Sequence, residues 1–150
     1  MSYRILLLDV DGVLHPYPPH SGLQRMCWVP HIAELVLPHP SLRIVIHSSW
    51  RCDYSVELGP RFLGVTPLGQ QYESITEFLS KNEAISDYRI LDDMTDEFPR
   101  DPVPAELILC ASRTGASAPR IRTALRNWLA ATQPPNAEAA ISKGDDDDCR

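Results

Sequence analysis

The chain has 150 residues, 43% of them hydrophobic, and a formal net charge of -6. That length suits one compact domain with a real core, and the acidic balance excludes a broad basic face for nucleic acid, leaving at most a local patch. No stretch approaches the roughly 20 apolar residues that span a bilayer, and Asp9 breaks the first apolar run too early for a signal peptide, so a soluble cytoplasmic protein with no membrane partner is expected.

Residues 4–9 are predicted as the first strand. The run Ile5-Leu6-Leu7-Leu8 is unbroken, as in a strand buried on both faces of a parallel sheet. It leads directly into Asp9, with Asp11 two residues on and Gly12 next. Two carboxylates cannot stay in that core. They must emerge at the carboxyl edge of the sheet, where open α/β folds hold their ligands, and Gly12 lets the chain turn there. Clustered acids repel unless a proton or a cation intervenes, and Mg2+, a hard ion that prefers oxygen, is the economical partner. A calcium loop does not fit: it needs glycine at its sixth position and glutamate at its twelfth, and the twelfth here is His20.

Residues 15–30 hold Pro16, Pro18, Pro19 and Pro30 and read as loop. His15, His20 and Cys27 within it match no compact zinc finger. Residues 31–37 are predicted as a short helix between Pro30 and Pro38. Residues 42–47 form a second strand, stopping at Ser48-Ser49, and 62–65 a short third. Residues 72–82 carry Ile75, Phe78 and Leu79 at helical spacing, and 88–91 form a fourth strand ending in Asp92-Asp93. Residues 106–110 are a fifth strand, and 119–131 an amphipathic helix with Ile121, Leu125, Trp128 and Leu129 on one face. The domain so defined covers 1–132. From 133 the composition is that of a disordered acidic tail, with Asp145 to Asp148 as a solvated charge run. The four cysteines show no C-x-x-C pairing and read as free thiols of a reducing compartment. His47 and Trp128 read as packed residues, and Trp28 and Trp50 as core or rim aromatics.

Strands alternating with helices argue for a parallel, right-handed α/β sheet. In such a sheet the strand ends Asp9-x-Asp11, Ser48-Ser49 and Asp92-Asp93 share one edge and converge on one site. Ser48 and Ser49 are also compatible with merely capping the segment after them.

This constellation resembles the haloacid dehalogenase superfamily of phosphotransferases, on the motif hhhhDxDGVL at Ile5 to Leu14, the strand ending in Ser48, and the strand ending in Asp92-Asp93. Ser48-Ser49-Trp50-Arg51 and Leu91-Asp92-Asp93 look like the small domains attached to RNA-repair proteins. The resemblance implies a Rossmann-like three-layer α/β sandwich with a five-stranded parallel sheet. It also implies a Mg2+-dependent phosphohydrolase acting through an aspartyl-phosphate. Asp9 would be the nucleophile and Asp11 the acid and base. Asp9, Asp11 (through its backbone carbonyl), Asp92 and Asp93 would form the metal site. Ser48, Ser49 and Arg51 would contact the phosphate, with backbone N–H groups after Asp9.

The family also uses a basic residue, usually lysine, between the second and fourth motifs. Lys81 is the only lysine in that interval, and its position near the far end of the 72–82 helix predicts a solvated side chain. Gln70 or Gln71 occupies the expected place without charge. Arg51 is the first candidate for the missing cation, with Arg61 and Arg25 behind it. Segment 15–41 is too short for a folded cap, so the site should be open to a bulky phosphate: a nucleic-acid end, a phosphoprotein or a small metabolite. The alternative is a phosphate- or nucleotide-binding sensor that turns over weakly or not at all.

Overall fold

The computed structural model describes residues 2–19, 22–48 and 54–131. Five strands, β1 (Tyr3–Leu8), β2 (Arg43–Ile46), β3 (Phe62–Val65), β4 (Ile85–Asp92) and β5 (Leu107–Leu109), form one sheet in the order β3-β2-β1-β4-β5. Every pairing is parallel. The helices are α1 (Val29–Val36), α2 (Ser55–Leu58, a single turn), α3 (Gln71–Ser80) and α4 (Pro119–Ala131). This is the expected Rossmann-like α/β sandwich. Between β1 and β2 the described chain forms only a loop and α1, so there is no cap domain.

β1 lies at the centre because its residues satisfy both faces. Leu6 and Leu8 join the core under α1 and α4, with Trp28, Ile32, Ile121 and Trp128. Ile5 and Leu7 alternate to the other face and pack with Ile75 of α3, Ile90 and Phe98. All four β1 leucines and isoleucines are at most 1% exposed, which makes this the most deeply buried strand. Each such side chain contributes roughly 1.5–3 kcal/mol on burial.

Boundaries differ from expectation where the main chain decides. β4 begins at Ile85, ahead of the apolar run predicted at 88–91, because Tyr3 and Arg4 of β1 extend the parallel ladder to Ile85 and Asp87. α1 starts before Pro30, which sits in the first turn, where a missing N–H costs nothing. The third strand and α4 span the predicted residues. Cys27 and Cys110 are free thiols. Among the described residues no helix is long and apolar enough to cross a membrane. The predicted tail lies outside the described residues, as do Ser49, Trp50 and Arg51.

Candidate active site

Register builds the site. Leu8 pairs with Ile46 on one side and Leu91 on the other, so the next residues along each strand, Asp9, His47 and Asp92, arrive side by side at the carboxyl edge. The ladder continues through them: Asp9 N–H donates to Leu91 O at 3.0 Å and His47 N–H to Leu8 O at 3.0 Å. Oxygens of Asp9, Asp92 and Asp93 all lie within 4.8 Å of one another.

These carboxylates are held where they resist ionising. Asp9 is 8% exposed and Asp92 fully buried. Burial, and then the neighbouring Asp92, pushes the Asp9 carboxyl up to about 8, against hydrogen bonds from Val10 N–H (2.8 Å) and Ser48 that favour its anion. Burial raises Asp92 to about 7, opposed by Met94 N–H, which donates to its Oδ1 at 2.8 Å. Asp93 is raised by burial too. Three crowded carboxylates with oxygen-only donors match a hard divalent cation. Asp9, Asp92 and Asp93 are thus the side chains able to hold one. The Asp11 carboxylate instead accepts a 2.7 Å hydrogen bond from His15 Nε2.

The second contact to Asp92 comes from α3. Gln71, first residue of that helix, donates its Nε2–H to Asp92 Oδ2. The crossover into β4 starts at the carboxyl edge, and Gln71 therefore occupies the place expected for the family's lysine. Lys81 closes the opposite end of α3 and pairs with Glu77 at 2.7 Å in solvent, as predicted. Arg61 is spent on main-chain carbonyls of Leu37, His39 and Leu42, away from the site. Arg25 lines a neighbouring groove of about 290 Å³ that begins at Asp11, His15 and Tyr17.

His47 is the packed residue the sequence suggested. Its Nε2–H donates to Leu91 O at 3.2 Å, which leaves Nδ1 as a lone pair 3.7 Å from Asp92 Oδ2, buried and without a hydrogen bond. Burial holds its pKa down at about 4. The N–H groups at Val10, Gly12, Val13 and Leu14 donate to Asp9 itself or to carbonyls of the same loop, so these four are not waiting for an oxyanion.

The cleft over the carboxylates measures about 160 Å³ and is lined by Asp9, Asp11, Ser48, Gln71, Asp93 and Glu97, with Tyr17 and Met94 at its rim. None of these described lining residues is basic. Sequence reading missed Glu97 and the contact of His15 with Asp11. Glu97 had no signal beyond its charge, whereas the four-residue spacing of Asp11 and His15 about Gly12 was a usable one.

No curated protein and no solved structure was found to match the chain. Residues 5–121 match the family described as the HAD domain in Swiss Army Knife RNA repair proteins, and the chain belongs to that family.

Proposed function

We propose that this chain is a Mg2+-dependent phosphohydrolase that cleaves an exposed phosphate monoester through an aspartyl-phosphate on Asp9. Family membership supports phosphohydrolase-type chemistry with a divalent metal in general terms. The observation that carries the finer reading is the convergence of Asp9, Asp92 and Asp93 within 4.8 Å at the head of a parallel sheet. The cation would supply the positive charge that lets an anionic nucleophile meet an anionic phosphate.

The chain's own groups do the rest. An Asp9 oxygen attacks phosphorus while the bond to the leaving oxygen breaks, and Asp11 gives that oxygen its proton. The Asp11 carboxylate then takes a proton from water, whose oxygen attacks phosphorus and releases Asp9 and inorganic phosphate. Ser48, which bonds Asp9 in this state, is available to orient a phosphate oxygen, and Ser49 and Arg51 follow it in sequence. The absence of a cap supports a bulky substrate. The association of the family with RNA repair proteins supports a nucleic-acid end. The net charge of -6 weighs against extended nucleic-acid contact. The free Cys27 and Cys110 support a cytoplasmic setting.

A second reading, a binding module with little or no turnover, is favoured by one observation: no described residue lining the cleft is basic. Turnover of p-nitrophenyl phosphate with and without Mg2+, in wild type and Asp9→Asn, separates the two. Metal-dependent turnover abolished by Asp9→Asn supports the enzyme. Phosphate binding without turnover sinks it in favour of the sensor. Oligonucleotides phosphorylated at the 5′ or 3′ end, set against small phosphorylated metabolites, then rank the substrate classes.

A further inference from the structure

We propose that His15 is a positioning residue that holds Asp11 by an Nε2–H hydrogen bond for proton transfer to the leaving oxygen; this rests on the phosphatase reading above. Asp11 and His15 are tied first through the main chain. They form an isolated β-bridge across the turn, and Gly12 N–H donates to His15 O at 2.9 Å. His15 is 8% exposed.

The ring's hydrogen can be located by elimination. Met26 N–H donates to His15 Nδ1 at 3.2 Å, so Nδ1 presents its lone pair. In the neutral ring the hydrogen is then on Nε2, and Nε2 donates to Asp11 Oδ1 at 2.7 Å. Met26 has φ 62°, the only left-handed non-glycine among the described residues. A side chain there carries strain that the surroundings must hold. The flanking bonds do so: Val29 N–H donates to Met26 O at 3.1 Å and Trp28 N–H to Leu14 O at 2.9 Å. A strained backbone N–H is thus aimed at the one atom that decides which ring nitrogen faces Asp11.

The chemical consequence is selective. An oxygen that already accepts a hydrogen bond is a poor seat for a proton, so the His15 contact disfavours protonation of Asp11 at Oδ1. His15 thus restrains the rotamer of Asp11 and biases which of its oxygens delivers the proton. This matters most when the leaving group is poor, because departure of an alkoxide needs the proton and departure of p-nitrophenolate hardly does.

The test is kcat/KM for p-nitrophenyl, phenyl and alkyl phosphates in wild type, His15→Phe, His15→Gln and His15→Asn. His15→Phe should lower the alkyl ester about 30-fold and the p-nitrophenyl ester under about 3-fold, within the range a proton donor contributes. Gln can present an N–H near the Nε2 position and should recover most of the alkyl activity. Asn, one methylene shorter, should not. Equal losses on all three esters, or Gln and Asn behaving alike, would overturn the role of His15 while leaving the phosphatase intact. The Gln and Asn pair keeps this decisive should His15→Phe misfold. A wild type with no turnover of any ester overturns the phosphatase reading and this role with it.

Discussion

The backbone of Gly12 lies against the carboxylate of Asp93. A Cβ added at Gly12 would sit 2.6 Å from Asp93 Cγ and closer still to Oδ2, and Gly12 has φ +73°. Glycine is therefore required twice, for the left-handed turn and for the approach of Asp93, one of the acids able to hold a metal. Gly12→Ala should displace Asp93 and weaken Mg2+ binding at least tenfold, with a stability loss of roughly 1–3 kcal/mol from backbone strain. Calorimetric titration with Mg2+ and a thermal melt of the variant measure the two effects. Unchanged metal affinity would mean that Asp93 is not a ligand.

Without metal, pH should act on stability through the buried acids. The folded-state pKa of Asp9 is raised from 3.8 to about 8, and that of Asp92 from 3.8 to about 7. The folded chain then binds more protons than the unfolded chain between those limits. The contribution of these acids is complete below about 3.8 and is lost as pH rises through 7 and 8. His47 has the opposite sign: its pKa falls from 6.5 to about 4, so its contribution is present above 6.5 and is lost as pH falls through 4. Metal-free protein should therefore melt at a lower temperature at pH 8 than at pH 6, and added Mg2+ should raise Tm more at pH 8. Asp9→Asn should stabilise the metal-free protein at pH 8 by on the order of 1–3 kcal/mol, read as a higher Tm. Equal Mg2+ shifts at both pH values would remove the crowded-carboxylate account.

Gln71 offers a gain-of-function test. Its amide donates to Asp92 from the first turn of α3, in a cleft whose described lining lacks a basic group. Gln71→Lys would bring a cation to that position. Turnover of an aryl phosphate should then rise by about tenfold, in line with one added electrostatic contact to a transferring phosphoryl group. Gln71→Leu removes a donor from a buried carboxylate and should cost about 1–3 kcal/mol of stability in the metal-free state. A lysine variant no faster than wild type would indicate that the cation comes from elsewhere, Arg51 being the next to replace.

Much of this architecture was legible because β1 announces itself: an apolar run too uniform for one face, ended by acids that cannot remain inside. Asp9, Ser48, Asp92 and Asp93 follow from strand ends alone. Less legible were features set by the main chain. The first half of β4 carries Ser86 and Asp87, which no hydrophobic pattern assigns to a strand; the ladder with β1 holds them there. The Asp11–His15 contact depends on the turn at Gly12 and on Met26 in a left-handed conformation within a proline-rich loop. Gln71 could be placed near the helix start, but an uncharged amide gives no hint that it will meet a buried carboxylate.

The amino edge of the sheet carries a cluster that should govern stability and leave the site alone. Trp128 of α4 donates its Nε1–H to Asp87 Oδ2 at 2.7 Å. The guanidinium carbons of Arg4 and Arg89 lie 5.4 and 5.2 Å from its ring centroid. Arg4, 5% exposed, also donates to Leu129 O at 3.2 Å, near the end of α4 where helix carbonyls lack partners. The indole thus fastens α4 to β1 and β4 through packing, its hydrogen bond to Asp87 and the cation–π contacts with Arg4 and Arg89. Trp128→Ala should cost about 3–5 kcal/mol, and Trp128→Phe about 1–2 kcal/mol, since it keeps an aromatic ring and loses the hydrogen bond to Asp87 Oδ2. A double-mutant cycle of Trp128→Phe with Asp87→Ala should give a coupling of about 1 kcal/mol. Because Arg4 and Asp87 each stand five residues before the site acids of their strands, Asp9 and Asp92, Mg2+ affinity of Trp128→Phe should equal that of wild type. A loss of metal binding in that variant would show that α4 holds the carboxylates in register, contrary to positioning by the sheet alone.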